Sequence, residues 1–115
     1  MSQHASLSPE RWGRFTPDQR LLMIANEMLR VASSFAPEHA LSRQLGYERV
    51  LRLTDLTIVQ TDRRSLRREL LRWRDLVAEL FLTEAAPELH AQAFRALLLL
   101  SRTGAEQLRA LEGRL

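Results

Sequence analysis

The sequence predicts an all-α protein whose four main helices pack as an antiparallel bundle. Each of its four prolines stands directly before an acidic residue and just ahead of a segment with helical apolar spacing: Pro9, Pro17, Pro37 and Pro87. Proline in the first turn of a helix costs no hydrogen bond, and an acid there meets the positive end of the helix dipole. The prolines therefore mark four helix starts.

Residues 1–15 are predicted to form a polar lead segment with a short helical turn from Pro9, in which Trp12 is only partly buried. Thr16 and Gln19 then form a capping box for the first main helix. Its apolar side chains follow at helical spacing up to Phe35. Asn26 and Glu27 fall on the opposite side of this helix, which we expect to face solvent.

The second helix is predicted over residues 37–60. Residues 50–61 are rich in β-branched side chains, so a strand is the alternative for this stretch. A helix is favoured because Glu48 and Arg52 pair at i,i+4, and because the sequence contains no second strand with which a first could pair.

The third helix is predicted from about Arg63 to Leu82 with Asp62 as its N-cap, and Trp73 on its apolar face is expected in the core. The fourth is predicted from Pro87 to residue 101 or 102, with Gly104 as its stop. A short fifth turn carries Leu108, Leu111 and Leu115. The loops are then expected at residues 35–37, 61–62 and 83–86.

The composition of the 115-residue chain indicates a single domain, residues 1–115. It contains no cysteine, and its 17 basic residues are all arginine, for a net charge of +3. A GC-rich coding genome would produce this arginine bias without any functional demand, and selection for arginine chemistry is the alternative. The lack of lysine excludes Schiff-base and P-loop lysine chemistry. With no leader or membrane-length apolar run in the sequence, we expect a cytoplasmic protein that does not contact membranes.

The arginines of the third helix are the one feature that suggests a specific partner. Arg64, Arg68 and Arg72 share a face with acids, but Arg63, Arg67 and Arg74 form a separate ridge with no acid on their line. This ridge is a candidate contact for an acidic partner protein or an anion. Nucleic acid is a weaker alternative, because the segment 62–79 has a net charge of only +2 and its one aromatic residue, Trp73, is predicted to face the core rather than to stack on bases.

The histidines give no sign of a metal or cofactor. His4, His39 and His90 do not form any spacing that would place two ligands on one helix face. His39 and His90 each lie in a predicted first turn, where we expect them to be exposed. The sequence shows no nucleophile paired with a catalytic base and no cofactor-binding loop. It therefore predicts a protein that is not an enzyme and has no cofactor.

The fourth predicted helix is apolar on nearly its whole circumference, which is typical of a helix covered on all sides. Its leucine run therefore predicts a homodimer in which this helix packs near its own copy, with Leu97, Leu98, Leu99 and Phe94 as candidate interface residues. The predicted function is a non-enzymatic helical adaptor or regulatory protein. The alternative is a nucleic-acid-associated regulator that uses the third helix.

Overall fold

The described residues of this protein are helical wherever they have regular structure. A computed structural model describes residues 8–83 and 86–113. Within these ranges the chain forms six α-helices and one 3₁₀ turn at Pro37–His39: α1 (Pro9–Gly13), α2 (Pro17–Ala32), α3 (Ala40–Gln60), α4 (Arg64–Leu82), α5 (Pro87–Leu98) and α6 (Arg102–Gly113). The all-helical class predicted from the sequence is confirmed.

The proline-acid phrases mark helix starts as predicted. Pro9, Pro17 and Pro87 each lie in the first turn of an α-helix, and Pro37 begins the 3₁₀ turn that leads into α3. At α2 the capping box is complete: the Gln19 amide donates to Thr16 Oγ1 at 3.1 Å, and the Thr16 amide donates to Gln19 Oε1 at 2.8 Å. The prolines and the capping box therefore favour the same helix starts that the folded protein adopts.

Residues 50–60 belong to α3, so the helix prediction is confirmed and the strand alternative is wrong. Thr54 and Thr57 are buried in this helix, and their hydroxyls donate to the carbonyls of Val50 and Leu53 at 2.7 and 2.8 Å. Donation to the carbonyl four residues earlier satisfies a hydroxyl inside a helix. The β-branched residues that suggested a strand are thereby accommodated in the core.

The helices assemble around one apolar cluster. Helix α2 contacts α3 and α5, and α4 also contacts α3 and α5, while α1 packs on α3 and α6 packs on α5 and α2. The cluster is formed by side chains from all six helices, among them Trp12, Ile24, Leu53, Leu70, Leu97 and Leu108. The result is a compact body of 39 × 36 × 23 Å.

Trp73 is buried, as predicted, and its Nε1 donates to the Ala93 carbonyl at 2.7 Å. The prediction for Trp12 is wrong, because Trp12 is fully buried. Its Nε1 donates to Thr57 Oγ1 at 2.8 Å, and its ring meets Phe15 edge-on at 5.5 Å between centroids. Helix α1 packs on α3 through this side chain. The local sequence around Trp12 does not predict its burial, because its partner Thr57 lies 45 residues away.

Two predicted boundaries are also wrong. Asp62 is not the N-cap of α4; Arg63 occupies that position and makes no side-chain capping bond. Helix α5 ends at Leu98, and Gly104 lies inside α6. The Gly104 amide donates to Ser101 Oγ at 2.9 Å, so Ser101 caps a new helix. A Cβ on Gly104 would lie 2.5 Å from the Leu98 carbonyl oxygen, so glycine permits this close approach.

His4, Leu115, residues 1–7 of the predicted lead segment and residues 84–85 of the predicted last loop lie outside the described residues. None of the helices that the structure describes is both long enough and apolar enough to cross a membrane.

Candidate functional site

The predicted arginine ridge is partly engaged inside the molecule. Arg74 donates to both carboxylate oxygens of Asp55 on α3, and this hydrogen bond raises the pKa of Arg74. Arg67 donates through Nε and NH2 to the Thr61 carbonyl, at 2.9 and 2.6 Å. Arg63 is exposed at the N-cap of α4. The acid that faces Arg74 was missed because it lies on a different helix.

The four predicted interface residues on α5 fall into two groups. Leu97 and Leu98 lie inside the chain's own core, whereas Leu99 is 61% exposed and Phe94 is half-buried. The sequence did not distinguish them because it predicted only a short turn after α5. The 12-residue helix α6 instead packs against α5 and gives that helix an inner side.

An apolar groove of about 690 Å³ lies between α4 and α5. Leu76 and Leu80 line it on α4, and Leu89, Ala93 and Ala96 line it on α5. Glu79, Thr83 and Gln92 are polar members of the same lining. The groove is mainly aliphatic and its volume lies in the range of ligand and partner clefts.

Large apolar side chains stand exposed along this groove. Leu76 on α4 is 47% exposed and Leu89 on α5 is 54% exposed. Leu89, Gln92 and Ala96 follow one another at three- and four-residue spacing, so they share one face of α5. Leu99, the C-cap residue just beyond the end of α5, continues this spacing but does not line the groove.

Neither Leu76 nor Leu89 was predicted as a site residue. Leu76 lies where α4 and α5 separate around the groove. The available signal was on α5: two leucines ten residues apart, with a glutamine and an alanine between them on the same face. This pattern was not recognised because the whole helix is apolar on nearly its entire circumference.

His90 is buried, so the prediction that it is an exposed helix-start residue is wrong. Its Nε2 lies 2.8 Å from the Met28 carbonyl, which only accepts, so this nitrogen carries the proton. Tyr47 then donates its hydroxyl to Nδ1 at 2.8 Å. Burial lowers the pKa of His90 and raises the pKa of Tyr47 to about 12. The ring is a neutral structural link between α2, α3 and α5.

Glu27 is also buried, at 2% exposure, and the prediction that it faces solvent is wrong. Its carboxylate accepts from Arg30 NH1 at 3.1 Å and from Arg49 Nε of α3 at 3.2 Å. Asn26 beside it is exposed, as predicted. Glu27 is buried on the polar side of α2 because it pairs with Arg49, which lies 22 residues away on α3.

Among the described residues, no group of three or more histidine, cysteine or acidic side chains is arranged to hold a metal ion. His39 is exposed at the end of the 3₁₀ turn, as predicted. Comparisons of the chain with protein-family models, curated proteins and solved structures found no match.

Proposed function

We propose that this protein is a non-enzymatic helical adaptor or regulatory protein of the bacterial cytoplasm, acting as a homodimer through helix packing. In this proposal α2 to α5 form an antiparallel four-helix bundle. The bundle is supported by the closed ring of contacts from α2 to α3, α4, α5 and back to α2. The connections between these helices are also short, which favours antiparallel neighbours.

The observation that carries the proposal is the open groove between α4 and α5. Its lining is mostly aliphatic, and Leu76 and Leu89 hold large exposed apolar surfaces along it. A soluble monomer rarely leaves a contiguous apolar patch uncovered, and such patches mark interaction sites. A second copy of the chain is the occupant that we propose.

The spacing on α5 supports a two-fold arrangement. Leu89 and Leu99 are equally distant from Phe94, and so are Gln92 and Ala96. If two copies of α5 cross antiparallel at this level, Leu89 lies opposite the partner's Leu99 and Gln92 opposite the partner's Ala96. One two-fold axis satisfies both pairs, as an isologous interface requires. The small alanine side chain at 96 also permits close approach of the two helices.

The competing proposal is a nucleic-acid-associated regulator that uses the arginines of α4, and an acidic partner protein would use the same surface. These readings have less support because Arg74 is held by Asp55 and Arg67 by the Thr61 carbonyl. The test is whether the purified protein retains DNA or RNA at physiological salt. Retention that is lost in an Arg67→Ala, Arg74→Ala double variant would favour the nucleic-acid-associated regulator over the adaptor.

Disulfide trapping tests the homodimer, because the natural chain has no cysteine. Leu89→Cys and Leu99→Cys protomers are mixed and oxidised. We expect the mixture to form a cross-linked dimer and each variant alone to form little. Identical positions in the antiparallel arrangement are about 15 Å apart along the helices, which is too far for a disulfide. Leu41→Cys, at an exposed site on α3, replaces Leu99→Cys as the control and should give no specific product.

Light scattering gives the second measurement. We expect the unmodified chain to form a dimer at micromolar concentration, Leu89→Arg to be monomeric, and Leu41→Arg to remain dimeric. A monomer of 13.3 kDa at high micromolar concentration would refute the homodimer. A dimer that survives Leu89→Arg would place the interface elsewhere.

A further inference from the structure

A second cavity, more polar than the groove, lies where the end of α2 meets the start of α3. Its volume is about 260 Å³. Its lining brings together two guanidinium groups, three hydroxyls and an imidazole: Arg30, Ser33, Ser34, His39, Ser42 and Arg49. The groove of the proposed dimer shares no lining residue with it.

The two arginines of this cavity are held in place by a buried carboxylate. Glu27 accepts one bond from Arg30 NH1 and one from Arg49 Nε, so each guanidinium keeps further N–H donors that Glu27 does not use in these two bonds. A guanidinium fixed on one edge offers its other edge in a defined direction, and a bound anion then requires less ordering of the side chain.

The backbone of α3 leaves room for the Arg49 group. Position 46 is a glycine that lines the cavity, and Arg49 NH2 lies 3.8 Å from the point where a Cβ on Gly46 would stand. The same Cβ would lie 2.4 Å from Val31 Cγ2, so the missing side chain also allows α2 and α3 to approach. Gly46 therefore serves the packing of the helices and keeps the space beside Arg49 open.

Three of the carbonyl groups at this end of α2 already receive side-chain donors. The Ser33 and Ser34 hydroxyls donate to the Arg30 and Val31 carbonyls at 2.9 and 2.6 Å. Arg43 NH1 donates to the Ser34 carbonyl at 3.1 Å and brings a third guanidinium to this end of the helix pair. Three arginines against one buried carboxylate leave the region cationic.

We propose that this cavity binds a small oxyanion, namely phosphate or the phosphate group of a small phosphoester, through the guanidinium donors of Arg30 and Arg49. Arginine is the side chain best matched to phosphate, because its parallel N–H groups bind two oxygens at once. The volume is below the range of about 300–1,000 Å³ typical of sites for drug-sized ligands, which favours an ion-sized group. The site does not depend on the proposed dimer.

Calorimetric titration with inorganic phosphate at constant ionic strength tests the site. We expect saturable binding to the unmodified chain and a loss of about tenfold or more in affinity in Arg30→Gln, because charge-assisted hydrogen bonds are removed. Arg72→Gln is the matched control: Arg72 also pairs with a glutamate at i,i+3 and 3.1 Å, and its side chain is 71% exposed against 64% for Arg30. Absence of saturable binding, or an equal loss in both variants, would overturn the proposal.

A parallel titration with glycerol phosphate distinguishes the source of the anion. Tighter binding than inorganic phosphate would identify a phosphoester as the ligand, and tighter binding of the free ion would identify phosphate. Both results support an oxyanion site. The Arg30→Gln variant should weaken whichever ligand binds better.

Glu27→Gln tests whether the carboxylate positions the arginines. If only net charge mattered, removal of this negative charge would raise the affinity for phosphate. We expect the affinity to fall, because the two guanidinium groups lose their common anchor. Circular dichroism checks that the variant is folded. A folded variant with higher affinity would refute the positioning role, and Arg30→Gln still tests the site if Glu27→Gln does not fold.

Discussion

The contact between α2 and α3 differs in kind from the contact between α4 and α5. At the first, Gly46 brings the two helices together, and the buried Glu27 on α2 binds Arg49 on α3. At the second, Trp73 reaches across to the Ala93 carbonyl, but Leu76 and Leu89 border an open groove of about 690 Å³.

This difference separates two uses of helix packing. Buried polar pairs with specific partners fix one arrangement of α2 and α3, because any other arrangement would leave charges or donors unsatisfied. The aliphatic groove between α4 and α5 imposes no such requirement and leaves apolar surface for another molecule. We therefore expect the contact between α2 and α3 to be rigid and the contact between α4 and α5 to be adaptable.

The largest expected effect is on the two tryptophans. Trp12→Ala and Trp73→Ala should each lower the free energy of unfolding by about 3–5 kcal/mol, because both truncate a large aromatic side chain that is buried and hydrogen-bonded. Urea denaturation measures both. A much smaller loss for Trp73→Ala would mean that α4 and α5 close over the vacated space, which would extend the adaptable region into the core.

Gly46→Ala should lower the free energy of unfolding by about 1–3 kcal/mol, because the new methyl group would meet Val31 Cγ2 in the tight contact of α2 and α3. Gly113→Ala is the control, since nothing lies within 4 Å of a Cβ at that position. Thermal denaturation of the two variants compares them. A stable Gly46→Ala protein would show that α2 and α3 can separate slightly, and the contrast with α4 and α5 would weaken.

The stability of the α2, α3 and α5 junction should depend on pH through His90. Burial lowers the pKa of His90 in the folded protein, so the unfolded chain takes up a proton first as the pH falls. The free energy of unfolding should therefore decrease as the pH drops below about 6.5, the ordinary histidine pKa. Melting curves between pH 7.5 and 5.5 measure the effect.

The His90→Gln variant tests this origin of the pH dependence, and His39→Gln is its control. His39→Gln should retain it, because His39 is exposed, and His90→Gln should lose it. An unchanged pH dependence in His90→Gln would place its origin outside the junction formed by Tyr47, His90 and the Met28 carbonyl.

The smallest expected effect is at the groove. Leu89→Gln should change the free energy of unfolding by no more than about 0.5 kcal/mol when measured at a concentration where the chain is monomeric, because Leu89 is exposed. Chemical denaturation of dilute protein measures this. A large loss would show that the groove residues contribute to the fold itself.

The sequence predicted what depends on neighbouring residues and missed what depends on distant ones. The start of α2 was predictable because Thr16 and Gln19 interact over three residues. The burial of Glu27 and His90 was not, because their partners Arg49 and Met28 lie 22 and 62 residues away.

Helix α6 shows a different kind of error. A glycine after an apolar run predicts a helix stop at Gly104, but Ser101, three residues earlier, caps a new helix. Without α6, every side of α5 looked equally available to a partner, so Leu97 and Leu98 could not be separated from Leu99. Two of the four residues predicted for the interface, Leu97 and Leu98, therefore lie inside the core.

The placement of the two indole rings makes the molecule its own fluorescence probe. Trp12 lies where α1 packs on α3, and Trp73 lies between α4 and α5, so each ring reports on a different part of the fold. Both are shielded from water, and each emission spectrum shifts to longer wavelength only when its own surroundings open. Trp12→Phe and Trp73→Phe proteins, each with one remaining emitter, would reveal which part of the chain loosens first during unfolding.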